Sequence, residues 1–118
     1  MILEIWTYSA PKPSNNSSIK ARPVLVIGDD SCNNISIVDI TYVLISSSAE
    51  CGEFDVEISE NVAQSIGLDR KSIIKTTKIF TGSKSSLGSK ICKLPDDIKS
   101  EFIEKYKKYQ DCLIKNMQ

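Results

Sequence analysis

The chain has 118 residues, 41% of them hydrophobic and 25% charged, with 15 basic residues balanced by 15 acidic ones. This is an ordinary globular composition with room for one hydrophobic core, which excludes a disordered chain and a two-domain one. No apolar run approaches the roughly 20 residues that span a bilayer, and Glu4 stands where a leader peptide would carry a base, so residues 1–118 read as one cytoplasmic domain.

Residues 2–8 are rich in β-formers and read as a first strand. Residues 9–18 form a polar loop whose two prolines, Pro11 and Pro13, cannot continue a ladder. It is long for a hairpin, and a long loop in a small domain is either functional or a plain surface connection. Residues 22–27 then give a continuous apolar run, the pattern of a strand buried on both faces. Gly28, Asp29 and Asp30 with Asn33 and Asn34 bracket a turn. Residues 35–45 are strongly β-branched and long for one strand, which predicts a bend or bulge, and Ser46, Ser47 and Ser48 end the stretch.

Residues 54–58 alternate cleanly, as a strand with one wet face does. Ser59 is placed to cap a short helix through Ile66, with Gly67 as its stop. Residues 72–80 are the next strand, residues 82–88 are rich in turn formers, and residues 90–93 are a short strand. The last segment is the clearest helix. Pro95 suits its first turn, Asp96 and Asp97 complement the positive end of its dipole, and Ile98, Phe102, Tyr106, Tyr109 and Leu113 repeat on one face as a packing stripe. The whole reads as a mainly β protein, a small bent barrel decorated by a short helix and a C-terminal helix.

Cys32, Cys51, Cys92 and Cys112 have no CxxC spacing, and the chain has no histidine, so they read as free thiols rather than a zinc site, with Cys92 and Cys112 facing the core. Charge is segregated along the chain. Residues 23–69 hold nine acids and no Lys or Arg, whereas residues 70–93 hold seven bases and no acid. Two readings stay open: an electropositive face suited to phosphate, or strand-edge lysines that discourage aggregation.

Spaced motifs go further than the order of elements. A first strand carrying Trp6, a polar loop, Arg22-Pro23-Val24-Leu25-Val26-Ile27 and then Leu44-Ile45-Ser46-Ser47 resemble the start of the MazF/PemK/Kid family of type II toxins. Phe54-Asp55-Val56-Glu57-Ile58, the block from Gly67 to Ile74, and Leu87-Gly88 followed by Leu94-Pro95-Asp96-Asp97 are similar to its later motifs, in the same order. The chain departs from the family's pattern where an opening Gly-Asp becomes Leu3-Glu4, where Gly-Ser-Glu-Gln becomes Asn15-Asn16-Ser17-Ser18, and where Gln-x-Arg-Thr becomes Lys78-Ile79-Phe80-Thr81.

The resemblance implies a small Src-homology-3-like barrel of the CcdB/Kid type, a homodimer, a cognate antitoxin with which such toxins bind DNA, and cleavage of single-stranded RNA without a cofactor. In that reaction the 2′-hydroxyl attacks the adjacent phosphorus, leaving a 2′,3′-cyclic phosphate and a 5′-hydroxyl. The family's two catalytic residues map onto Arg22 and Ser46, and contacts to RNA onto Trp6, Lys12, Lys20, Ser47, Lys78 and Thr81. With no histidine in the chain a paired-histidine mechanism is impossible, so rate must come from in-line positioning and from charge stabilisation at the phosphoryl oxygens. Arginine offers a rigid fork of donors matched to phosphate, which assigns Arg22 to electrostatic stabilisation and leaving-group protonation. Ser46 is assigned to hydrogen-bonding the scissile phosphate or the attacking hydroxyl. Judged on residue type alone, Arg22 is a strand-entry arginine, Ser46 a turn residue and Trp6 either core or a stacking platform. Two other functions fit such a barrel: a catalytically silent one that binds RNA or an antitoxin-like peptide, and a gyrase poison, whose C-terminal signature residues 112–118 do not match.

Overall fold

The computed structural model describes residues 1–11, 19–31 and 37–118. Along the chain come strands β1 (Glu4–Pro11), β2 (Ile19–Gly28), β3 (Asp39–Ser46) and β4 (Val56–Ile58), helix α1 (Glu60–Ile66) and strand β5 (Ser72–Ser83). A single 3₁₀ turn at Lys84–Ser86, strand β6 (Leu87–Lys93) and helix α2 (Asp96–Met117) complete it. All strand pairs are antiparallel, in the order β4-β5-β3-β2-β1-β6.

That order forces curvature. In a flat sheet β5 and β6 would lie four strand spacings apart, about 19 Å. The link from Ser83 to Leu87 is three residues long and reaches at most about 14 Å. The sheet therefore curls to bring β6 round to β1, giving a mainly β half-barrel closed by a C-terminal helix. This is the architecture expected from the sequence.

Several boundaries differ from that expectation. β1 runs on through Ser9 and Ala10 to Pro11, which pairs with Ile19; a proline in the last pair forfeits only its own N–H. Ile37 and Val38 lie in a turn and β3 starts at Asp39, while residues 32–36 lie outside the described ones. β4 keeps only three residues, with Phe54 in the turn before it. β5 extends to Ser83 and β6 begins at Leu87, so the turn expected over residues 82–88 shrinks to the 3₁₀ segment. The expected irregularity in the long β-branched stretch is a register shift between Val43 and Leu44, whose partners on β5 are Ile79 and Lys75. The extra residues Thr76, Thr77 and Lys78 belong to β5, so the bulge falls on the partner strand.

The doubly buried run in β2 is borne out, since Val24, Leu25 and Val26 are all at most 1% exposed. Alternation sends them to two cores. Leu25 joins Ile5, Val43, Ile45, Ile58 and Ile74 on the face covered by α1 and α2, through Ala63, Ile98 and Phe102. Val24 and Val26 join Tyr8, Ile40 and Tyr42 on the other face, with Trp6, Leu44 and Leu87 packed against them.

α1 is set by its ends. The Ser59 hydroxyl accepts from the Val62 N–H, and Gly67 adopts φ 98° where the chain turns left-handed, letting the Leu68 N–H reach the Ala63 carbonyl at 2.8 Å. α2 runs for 22 residues, about 33 Å. Its stripe grades from buried Ile98 and Phe102 to half-buried Tyr106, Tyr109 and Leu113, so only the first turns sit in the core. Cys92 packs against that core, and burial pushes its thiol pKa up. Cys112, expected to face inward, is exposed; the neighbouring Leu113, which continues the apolar stripe, is half-buried, so Cys112 points off that stripe.

Phe102 carries the docking of α2. Phe102→Ala should cost about 3–5 kcal/mol by urea denaturation. Ile103→Ala, one residue on and 49% exposed, should cost less than about 0.5 kcal/mol.

Candidate active site

β2 and β3 are paired from Gly28↔Thr41 down to Val24↔Leu44, where the pairing stops. The next residue on β2 is Pro23, which has no N–H with which to prolong a ladder. Beyond that point β2 stays paired to β1, with Tyr8 opposite Arg22, and β3 stays paired to β5, with Ser46 opposite Ile73. The strands part between them. A depression of about 280 Å³ opens there, lined by Ala21, Arg22, Pro23, Ile45, Ser46, Ser47, Ser48 and Ser72. Arg22 and Ser46, 24 positions apart in sequence, thus come to one cleft.

Ser46 occupies the last position of β3 and turns its hydroxyl back on the chain. Its Oγ accepts the Ala49 N–H at 3.1 Å and the Ser48 N–H at 3.3 Å. Both lone pairs are thereby engaged, so the hydroxyl has its proton left to offer as a donor. Arg22 is exposed and, among the described residues, forms no ion pair, leaving its donors open to an anion. The Ser72 hydroxyl is committed to the Arg70 carbonyl at 2.9 Å. The cleft thus offers one guanidinium and a row of hydroxyls, and no carboxylate lines it.

The other expected contacts are dispersed. Ser47 lines the cleft and is exposed. Lys12 lies outside the described residues, and Lys20 is placed by its backbone opposite Ala10 in β1. Lys78 and Thr81 are exposed on β5, Lys78 in the bulge, five residues beyond Ile73 and so roughly 15 Å along the strand. Neither lines the cleft. Trp6 is half-buried against the second core, and its indole N–H donates to Glu4 Oε1 at 3.0 Å. Close by, the Tyr8 ring lies tilted against that of Tyr42 with centroids 4.6 Å apart, and burial followed by the proximity of Tyr8 pushes the Tyr42 pKa up to about 12. Tyr42 therefore keeps its proton near neutral pH and cannot act there as a base. Ser48 and Ser72 were missed as cleft residues; the only signal in the sequence for Ser48 was its place in the serine run.

The charge segregation resolves mostly into pairing. Of the bases in residues 70–93, Lys71 pairs with Glu57, Lys75 with Asp55, Lys84 with Asp30 and Lys90 with Glu4. Three of these four bases meet an acid of residues 23–69 and Lys90 meets Glu4, leaving Arg70, Lys78 and Lys93 without an ion pair among the described residues.

The matching family model is described as PemK-like, MazF-like toxin of type II toxin-antitoxin system, and it covers residues 3–106. The chain belongs to this family. Among solved structures it is similar to the Mycobacterium tuberculosis toxin MazF-mt6, at 18% identity and a TM-score of 0.70, over 92% of this chain and 96% of that one. It is also similar to a structure described as an Mtb toxin, at 19% identity and a TM-score of 0.61, over 75% of this chain and 91% of the other. A comparison with curated protein sequences gives no significant match. No helix among the described residues is long and apolar enough to cross a membrane.

Glu4 links the first strand to the last. It takes Lys90 Nζ at 2.8 Å as well as the Trp6 N–H, and the Lys90 hydrogen bond holds its pKa below the ordinary 4.5 despite partial burial. Its contribution to stability is complete above that value and is lost as pH falls through the lowered folded-state pKa. Glu4→Gln should therefore be less stable than the parent in urea at pH 7, with the gap closing as pH drops below 4.5.

Proposed function

We propose that the chain is a toxin endoribonuclease that cleaves single-stranded RNA in the cleft between β2 and β3. The observation that supports this best is the meeting of Arg22 and Ser46, from strands that part around Pro23, in one open depression. The attacking 2′-oxygen forms a bond to the adjacent phosphorus while the bond from phosphorus to the 5′-oxygen breaks. The products are a 2′,3′-cyclic phosphate and a 5′-hydroxyl. The 2′-proton leaves to solvent, and the departing oxygen is reprotonated as it goes.

Arg22 forks onto the phosphoryl oxygens and hydrogen-bonds the departing 5′-oxygen, where negative charge grows. Ser46 donates its free proton to a non-bridging oxygen; with its lone pairs engaged by Ser48 and Ala49, the phosphate is a better partner for it than the attacking hydroxyl. Ser47 extends the hydroxyl wall. Trp6, Lys12, Lys20, Lys78 and Thr81 serve the flanking nucleotides. Hydroxyls and a guanidinium are poor metal ligands, so the step proceeds without a metal. A cognate antitoxin and a second copy of the chain complete the set of partners.

The alternative is a silent barrel that binds RNA or an antitoxin-like peptide without cutting. One observation favours it: Ser46 already has a structural task in closing the turn to Ala49.

Purified protein should release fragments ending in cyclic phosphate, with the 5′ ends sequenced to give the motif, and a chelator should leave the rate unchanged. Arg22→Ala and Ser46→Ala should each lower kcat by about 10²–10³ with the fold intact. Binding without any cleavage of a random RNA pool would establish the silent barrel instead. Since no carboxylate, thiol, lysine or histidine lines the cleft to act as a general base, the rate should rise steadily with pH as the 2′-hydroxyl ionises. A bell with limbs near 6 and 7 would contradict this chemistry.

A further inference from the structure

The serine wall of the cleft belongs to the loop that leaves β3 after Ser46 and returns to β4 at Val56. This loop has no ladder of its own. It is held from inside by one ion pair. Lys75 Nζ lies 2.6 Å from Asp55 Oδ2, with the Asp55 side chain 3% exposed, and also donates to the Glu50 carbonyl at 3.3 Å. The same carboxylate oxygen accepts the Gly52 N–H at 2.8 Å, while Oδ1 is buried with no partner. From outside, Lys105 of α2 donates to the Glu53 carbonyl at 3.0 Å, and Phe54 packs its ring 5.4 Å from that of Tyr109.

A buried ion pair with one carboxylate oxygen left unpartnered is a poor source of stability, because desolvation consumes most of the attraction. What it does achieve is position. Lys75 pairs with Leu44 in the β3–β5 ladder, two residues before Ser46 and next to the bulge at Thr76, Thr77 and Lys78, so the ammonium is carried by the stretch of β5 that runs alongside the end of β3. It grips the loop at Glu50 and, through Asp55, at Gly52. The span between Ser46 and those anchors is short, and it contains the Ser48 and Ala49 amides that orient the Ser46 hydroxyl.

We propose that Lys75 and Asp55 form an internal clasp whose task is to position the serine wall, so that Lys75 acts as a positioning residue for the cleavage step rather than as a ligand for RNA. This rests on the nuclease reading above. With the clasp in place, the Ser46 proton is aimed into the cleft; without it, the fold survives and the hydroxyl wanders.

The test uses the full chain carrying Asp55→Leu together with Lys75→Met, since replacing both partners by apolar groups of similar volume is commonly neutral for stability. Lys75→Met alone strands a buried carboxylate and is expected to unfold more easily. Amide hydrogen exchange at Ser48 and Ala49 should quicken in the double variant while exchange in β2 and β3 stays at the parent's rate. On a cleavable RNA, kcat should fall about 10- to 100-fold with KM little changed, whereas Lys75→Arg with Asp55 kept should retain most of the parent's kcat. Unchanged exchange at Ser48 and Ala49 would overturn the clasp whether or not the parent cuts RNA. Faster exchange with parental kcat would overturn the positioning role. A parent that cuts no RNA refutes the nuclease reading, and the exchange measurement still decides the clasp.

Discussion

Two strands that stop pairing are the constraint on which this molecule turns. β2 and β3 are joined as far as Val24 and Leu44, then diverge where Pro23 has nothing to donate. Each strand remains anchored on its far side, β2 by β1 and β3 by β5, so the gap is held open by intact ladders rather than by a flexible hinge. A guanidinium from one rim and hydroxyls from the other then face a common space. On the face that carries the second core, the Tyr8 ring lies tilted against Tyr42, and Tyr42 in turn stacks on Phe80.

The electrostatics follow from topology. Antiparallel neighbours bring distant parts of the chain side by side, so an acid-rich segment followed by a base-rich one becomes a set of pairs at strand ends and between strands and loops. Positive potential at the cleft consequently rests on Arg22 itself more than on a broad basic face, which suits recognition of a single phosphate over non-specific attraction of a polyanion. The pairs differ in environment. Lys71 with Glu57 is more than half exposed on both sides and contributes little, whereas Lys75 with Asp55 is enclosed and costly to break.

Elements governed by local chemistry were legible in the sequence. Ser59 and Gly67 bound α1 as their types require, the apolar run of β2 is buried on both faces, and the stripe on α2 begins in the core. What escaped was decided by partners remote in sequence. Nothing local says that β5 continues through Gly82 and Ser83; β3 keeps them extended by pairing them with Ile40 and Asp39. Cys112 is apolar enough to read as core, yet it stands beside the stripe of α2 rather than on it and is exposed. Arg22 and Ser46 carry no signal of their own beyond strand entry and turn. Only the resemblance singled them out, and it could not supply Ser72, whose place at the rim depends on how β5 aligns with β3 and β4. The opening Gly-Asp of the family pattern is instructive in the same way. Leu3 stands in the glycine's place with φ 61°, a backbone region glycine enters freely and leucine does not. The chain tolerates it because Leu3 is tied at both ends, its N–H to Val26 at 2.7 Å and its carbonyl to Leu94 at 2.9 Å, and its side chain packs on the core.

The first strand also holds the chain's sole tryptophan, tethered through its ring nitrogen to Glu4 and lodged beside the second core. That placement makes the indole a built-in fluorescent gauge. Its emission reports whether β1 is seated between β2 and β6, and undocking of the strand would shift the spectrum to the red as water reaches the ring. Seating of the N-terminal strand can thus be followed optically without attaching a label.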